Sequence, residues 1–324
     1  MNKYLQLIFD PAFRFSILAS RGYYNNMSDK EFLSLKYKLS IGKELNLESP
    51  QTYNEKLQWL KLYNRKPEYT QMADKYEVKK YISKIIGEEY TIPTIGIWNK
   101  FEDIDFDSLP NKFVLKCTHD SGGLVICRDK AKLDIEAARK KINKSLKRNY
   151  FWETREWPYK DIKPRIIAEE YIDVYDNSTS TKDGAINTHS LQAKHGLLDY
   201  KFMCFNGVVK ALFLDIGVIG NSTEHAKDYY RNIYDREWKA MPFKETRDFY
   251  PIPIEKPDFY EEMISIAEKL SEGTPHLRVD LYYVNNRIYV GELTFFHGSG
   301  LSNYFEPEEW NYTFGSWIKL PNNE

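Results

Sequence analysis

Lys116 stands near the end of "FVLKC", Phe113–Cys117, and the chain then breaks into the polar run His119-Asp120-Ser121-Gly122-Gly123. On a strand alternate side chains face opposite ways, so Phe113 and Leu115 share one face while Val114 and Lys116 share the other. An ammonium beside an apolar neighbour loses hydration and needs a negative partner. No carboxylate precedes Lys116 closely on its own strand, which leaves a ligand anion as a candidate. The loop that follows is short and closed by glycines, so its backbone N–H groups can fold over phosphate oxygens. It is not a Walker A loop, because no lysine follows the glycines. A plain β-hairpin, with the glycines in its turn and the lysine extended to water, is the competing reading.

A second set of charges lies near the C-terminus. In "LRVDLYY" Arg278 and Asp280 are two apart and share a strand face, and in "YVGELTFF" Glu292 and Thr294 do the same on the next strand. Hard divalent cations prefer carboxylate oxygens, and magnesium commonly takes one or two protein carboxylates, completing its shell with phosphate oxygens and water. Asp280 and Glu292 supply such a pair. The alternative is a cross-strand ion pair from Arg278 to either acid. A third segment, "RIIAEEYID", carries an apolar run into Glu169, Glu170, Tyr171 and Ile172. A strand leaving its sheet in this way can offer backbone groups to an adenine edge while Tyr171 and Ile172 pack beside it. Solvated acids after a strand are the plainer reading.

These residues need elements to hold them. "NEKLQWLKLY", Asn54–Tyr63, has Leu57, Leu60 and Tyr63 on one helical face and is expected to start at an Asn54 cap; a second helix is expected over Asp74–Ile86. "TIPTIGIW", "KFVLKC" and "GLVICRD" read as strands, and "LDIEAARKKINKSLKRNY" as a helix with Asp134 at its start and cations at its end. Asn206-Gly207 joins two strands, Asn285-Asn286 joins two more, and a helix with Pro257 before it and Gly273 after it lies between these hairpins. The polar tract Asp176–Gly196 is expected to be a peripheral surface excursion. Late hairpins among mixed elements indicate an α+β architecture.

Composition narrows the function. With 46 basic and 47 acidic residues the chain has no global field for nucleic acid or an anionic membrane surface, so a polyanion must be bound locally. Cys117, Cys127 and Cys204 form no CxxC pair and cannot all be joined within the chain, which fits a reducing cytoplasm. The apolar N-terminus is interrupted by Asp10, Pro11 and Arg14 before an integral membrane segment or signal core is reached, and reads as a helix or packing arm.

Taken in order, "MADKYEVKKYI", "FVLKCTHDSGG", "IIAEEYID", "DYKFMCFNG" and "LRVDLYYVNNRIYVGELTFFHGSG" resemble the TupA-like ATP-grasp family of surface-polysaccharide pathways, over about Asn54–Trp317. The resemblance implies an ATP-grasp fold, with nucleotide held between two α+β subdomains. It implies ATP and Mg2+ as cofactors. Lys75 and Lys116 match the phosphate lysines, Ser121, Gly122 and Gly123 the loop over the phosphates, and Glu169, Glu170, Tyr171 and Ile172 the adenine linker. Asp199 matches the ribose acid. Asp280 and Glu292 match the metal carboxylates, and Arg278 the arginine beside the reacting group. Thr294 stands where many relatives place asparagine, a better ligand. His297, Gly298 and Ser299 resemble the second-substrate loop, and Arg231 is a further substrate candidate. The implied organisation is a helical extension (1–53), an N-terminal subdomain (54–110), a small subdomain with phosphate loop and adenine linker (111–172), and a C-terminal subdomain with the metal site (173–324).

The activity so implied is carboxylate–amine ligation through an acyl phosphate. Its partners would be a glycan or sugar acid, such as a uronic acid, and a small amine or amino acid. A sugar kinase would use the same nucleotide parts, and a glycosyltransferase would need a nucleotide-sugar site, for which only "DID", Asp103–Asp105, offers a metal-binding string.

Overall fold

The computed structural model describes residues 3–120, 122–174, 181–182, 184–218, 229–302 and 305–321. Six helices come first: α1 (Lys3–Phe9), α2 (Pro11–Ser20), α3 (Asp29–Ile41), α4 (Tyr53–Tyr63), α5 (Pro67–Ala73) and α6 (Val78–Ile85). Helix α4 starts at Thr52, whose hydroxyl accepts from the Glu55 N–H while the Glu55 carboxylate accepts from the Thr52 N–H. Asn54, the expected cap, is buried inside the helix and donates its amide to the Ser302 carbonyl. Helix α6 is shorter than its apolar pattern because Asp74 accepts from the N–H groups of Tyr76 and Glu77. That turn competes with helix and leaves Lys75 outside it.

The next unit is an antiparallel sheet of β1 (Thr94–Trp98), β2 (Phe113–Cys117), β3 (Leu124–Cys127) and β4 (Ile166–Glu170), in the order β1-β4-β2-β3. Phe113, Leu115 and Cys117 point inward against Ile142 of α7 (Ile135–Leu146), which Asp134 caps through the Ala137 N–H. A short helix, α8 (Tyr150–Thr154), precedes β4. Strands β5 (Thr181–Lys182) and β6 (Ala185–Ile186) form a small pair before α9 (Thr188–His195).

The larger sheet contains β7 (Asp199–Phe205), β8 (Val208–Ile216) and β9 (Tyr230–Asp235). After β10 (Lys244–Glu245) and α10 (Tyr260–Ser271), strands β11 (His276–Val284) and β12 (Arg287–Thr294) complete it, in the antiparallel order β12-β11-β7-β8-β9. Both hairpin turns have positive φ at their two central residues, Asn206 and Gly207 in one, Asn285 and Asn286 in the other. Such turns match the right-handed twist of the strands they join. Phe202, Cys204, Leu277 and Val279 are buried in the core that also holds Met263, Ala267 and Leu270 of α10. The opposite face carries the charges described below. Strand β13 (Phe305–Glu306) pairs with β10, and α11 (Glu309–Trp317) packs on α4. Among the described residues, no helix is long and apolar enough to cross a membrane.

The tract 176–196 departs from its composition. Residues 176–180 and 183 lie outside the described residues, but α9 is an ordered helix with Asn187 as cap and Leu191 fully buried in the main core. Polar positions mask this, because Gln192 is itself buried and accepts from the Leu198 N–H. Deleting α9 is therefore expected to abolish folding rather than be tolerated. Leu191→Ala should lower the unfolding free energy by about 2–4 kcal/mol in a urea titration, whereas a peripheral helix would show a change near zero.

Candidate active site

A cleft of about 1100 Å3 lies between the outward face of the small sheet and the charged face of the large one. On the small sheet, Val114 and Lys116 of β2 line it, and Glu169 of β4 stands opposite Val114 in register. Glu169 is nearly buried between two lysines, at 2.6 Å from Lys116 Nζ and 2.6 Å from Lys79 Nζ. Burial alone would raise its pKa, yet the two ammonium groups outweigh that and hold it below the usual range. Glu169 is thus a strand residue facing the cleft, while Glu170 is exposed and Tyr171 and Ile172 continue along the cleft wall. Arg128 Nε donates to the Tyr171 hydroxyl at 3.0 Å.

The loop after β2 is organised by Asp120. Its carboxylate accepts from the Gly123 N–H at 3.1 Å and from the Ser145 hydroxyl, and Lys75 Nζ donates to its carbonyl at 2.5 Å. Arg165 in turn holds Asp74 at 2.9 Å and Glu77 at 3.1 Å, on either side of Lys75. Gly123 packs so tightly on Cys117 and Ser145 that a Cβ there would overlap both. Gly122 is exposed, Gly123 lines the cleft, and Ser121 lies outside the described residues.

The large sheet brings the remaining charges together. Arg278 Nε and Nη2 donate to the two oxygens of Asp280 at 2.7 and 2.8 Å, and Lys201 Nζ bridges Asp280, at 2.9 Å, to Asp199. Burial drives the Asp199 pKa up to about 6 against the pull of Lys201. Its Oδ1 is buried and has no hydrogen-bond partner among the described residues. Register sets Asp280 across from Glu292 and Arg278 across from Thr294. The cross-strand ion pair is present, since Arg278 Nη2 lies 3.8 Å from Glu292, but the hydrogen bonds of that guanidinium go to Asp280. Glu292 Oε1 accepts from the Thr294 hydroxyl at 2.8 Å. Its other oxygen takes no hydrogen bond from the described residues, and over a third of the side chain is exposed.

These oxygens suit a hard cation. Among the described residues no group of three or more acidic, histidine or cysteine side chains forms a closed metal cage. Glu292 and Thr294 instead make a partial set, of the kind magnesium completes with phosphate oxygens and water, and Asp280 joins it only where a cation displaces Arg278 or Lys201 from one of its oxygens.

Two expected substrate contacts sit elsewhere. Arg231 is buried, with Nε and Nη2 forking onto Asp215 at 2.6 and 2.7 Å and Nη1 on Glu245. His297 is buried too: Arg278 Nη1 donates to its Nδ1 at 2.9 Å, so its Nε2–H donates to Glu245 at 3.0 Å. Burial lowers its pKa, consistent with this neutral form. Both side chains are spent within the charged network, and neither lines the cleft. Gly298 and Ser299 have positive φ, and Ser299 accepts from the fully buried Lys61 through its carbonyl at 2.8 Å and its hydroxyl at 3.0 Å. Burial pushes Lys61 down to about 7 against the pull of Glu156. Sequence reasoning missed Lys61 and Lys79; the only signal for Lys79 was its place four residues after Lys75.

The "DID" string is likewise remote from the chemistry. Asp103 ends a short 3-10 turn and Asp105 accepts from the Asp107 N–H, and neither lines the cleft.

Known proteins resemble this chain. The model of the family described as TupA-like ATP-grasp matches residues 55–319. No curated protein matches the chain. Among solved structures, the chain is similar to the D-alanine–D-alanine ligase of Helicobacter pylori at 13% identity, over 82% of this chain and 69% of that one, with a TM-score of 0.42. It is also similar to the ATP-grasp ligase PsnB complexed with a phosphomimetic variant of a minimal precursor, Mg and ADP, at 11% identity, over 93% and 74% of the two chains, with a TM-score of 0.41. An ATP-grasp RimK domain protein of Sphaerobacter thermophilus is similar at 10% identity, over 79% and 70%, with a TM-score of 0.39. With the family match spanning most of its length, the chain belongs to the TupA-like ATP-grasp family and is an ATP-grasp enzyme.

Proposed function

We propose that the protein is a cytoplasmic ATP-dependent carboxylate–amine ligase that activates a uronic acid or related sugar acid in surface-polysaccharide synthesis and joins it to a small amine. Family membership supports the nucleotide chemistry. The observation that carries the site is Glu292, an accessible carboxylate in a cleft whose facing wall bears Lys116. Arg278 gives its hydrogen bonds to Asp280 and stands 3.8 Å from Glu292, so one Glu292 oxygen takes no hydrogen bond from the described residues.

In this reading the adenine lies against Tyr171 and Ile172, Asp199 accepts from the ribose, and Lys75 and Lys116 meet the phosphates with Gly122 and Gly123. Asp280, Glu292 and Thr294 would hold magnesium, which when bound offsets charge on the transferring phosphoryl group. A carboxylate is a poor acyl donor because oxide would have to leave. Attack of its oxygen on the γ-phosphorus releases ADP and forms an acyl phosphate; an amine then attacks the carbonyl carbon, phosphate leaves, and the amine proton is lost to solvent. Arg278 directs its guanidinium to the developing charge, held in place by Asp280 and His297. No protein nucleophile is needed, and closure of the glycine loop would keep water from the acyl phosphate.

ATP with magnesium is expected to raise the melting temperature and UDP-sugars are not; the reverse pattern would overturn the assignment. Glu292→Gln should cut ADP release by about two orders of magnitude or more with the fold intact, and near-native turnover would remove the metal site. Asp199 accepts well only when ionised, so with its pKa near 6 the KM for ATP should rise as pH falls through 6. Asp199→Asn should flatten that rise, and an unchanged pH profile in the variant would take the ribose role from Asp199.

A further inference from the structure

Glu292, Asp280 and Lys201 form one row across three strands. Register sets Glu292 of β12 opposite Asp280 of β11, and Asp280 opposite Lys201 of β7, so the three side chains share a sheet face. Lys201 Nζ donates to Asp280 Oδ2 at 2.9 Å and also to Oδ2 of Asp199, two residues back on its own strand. Its side chain is only 11% exposed, yet it lines the cleft. Asp280 Oδ2 accepts from Arg278 Nη2 as well, at 2.8 Å, so both lone pairs of that oxygen are taken.

A divalent cation on Glu292 gains most from a second carboxylate, and Asp280 is the one in register. Lys201 opposes that in two ways. Its N–H fills an Asp280 lone pair that a metal would use, and its charge repels a dication brought within a few ångströms. The two cations on Asp280 are not held equally. Arg278 is fixed by its fork onto Asp280 and by His297, which accepts from Nη1 at 2.9 Å and is itself bound to Glu245. Among the described residues Lys201 has only its two acids, at the end of a flexible four-carbon stem. Nucleotide loosens both ties, since the ribose takes Asp199 and phosphate oxygens offer the ammonium a new partner.

We propose that Lys201 is an internal competitor of the divalent cation for Asp280, so that the metal enters with nucleotide or after it and not before. This rests on the reading above, which puts the metal at Asp280 and Glu292 with the nucleotide phosphates beside it. An ammonium carried by the chain keeps Asp199 and Asp280 compensated until substrate arrives. It then yields to a dication that brings two charges and comes with phosphate ligands of its own.

The test is calorimetric titration of the full chain with Mn2+ in the absence of nucleotide. Wild type should bind with a Kd above about 1 mM, and Lys201→Met should bind at least about tenfold tighter, because an oxygen of Asp280 and one of Asp199 are released. Lys201→Arg, which keeps a cation on the two acids, should stay with the wild type. Adding Glu292→Gln to Lys201→Met should remove the gain, which ties the ion to this row. Lys201→Gln, whose amide keeps a donor toward Asp280, replaces the methionine variant if that one does not fold. Equal affinity in the wild type and the uncharged variant overturns the proposal, as does a wild-type Kd below about 0.1 mM without nucleotide. Melting of the wild type separates the two readings: Mn2+ alone should leave it unchanged, and Mn2+ with a non-hydrolysable ATP analogue should raise it beyond the analogue alone. If Mn2+ adds nothing to the analogue, the metal reading itself falls; if it adds to the analogue yet also binds tightly without nucleotide, only the competition by Lys201 falls.

Discussion

A carboxylate can be buried on a sheet only if cations come with it, and Asp280 sets the rest of the molecule around that condition. Its two oxygens are met by Arg278 and Lys201, each from the same face of the sheet. Removing either cation would leave an uncompensated buried charge, a far larger penalty than the pair itself contributes. The neighbours inherit the requirement. Lys201 draws in Asp199, and Arg278 draws in His297, which needs Glu245, which needs Arg231, which needs Asp215. Linked charges therefore run across β11, β7, β8 and β9, and Glu292 on β12 stands beside them with one oxygen that takes no hydrogen bond from the described residues.

The facing sheet solves the same problem with the signs reversed. Two lysines share one nearly buried glutamate, Glu169, and of the two Lys116 lines the cleft. Lys116 is thus partnered even without an anion. The partner sits on β4, one step diagonal in the antiparallel register, where no reading along β2 would find it. Lys75 is handled differently: a side-chain turn at Asp74 excludes it from α6, and its ammonium spans to the loop carbonyl of Asp120. Both walls of the cleft are preorganised by groups that satisfy each other, so an incoming polyanion meets oriented donors and does not have to order them.

Alternation along "FVLKC" and "LRVDLYY", the Asn-Gly and Asn-Asn turns, and the Asp134 cap determined the strands, hairpins and helix that carry the site, because each depends on interactions within a few residues. The same period-2 rule put Arg278 with Asp280 and Glu292 with Thr294, as the structure has them. What local pattern did not contain is which partner each charge meets. Arg231 and Arg247 look alike in the chain, yet one is locked between Asp215 and Glu245 and the other lines the cleft, since Thr246 bends the backbone between Glu245 and Arg247. His297 reads as a loop residue and is a buried link between Arg278 and Glu245; α9 reads as a polar excursion and buries Leu191 in the core. Those outcomes belong to tertiary structure, because burial and ion pairing are decided by elements far apart in sequence that meet only when both sheets have packed.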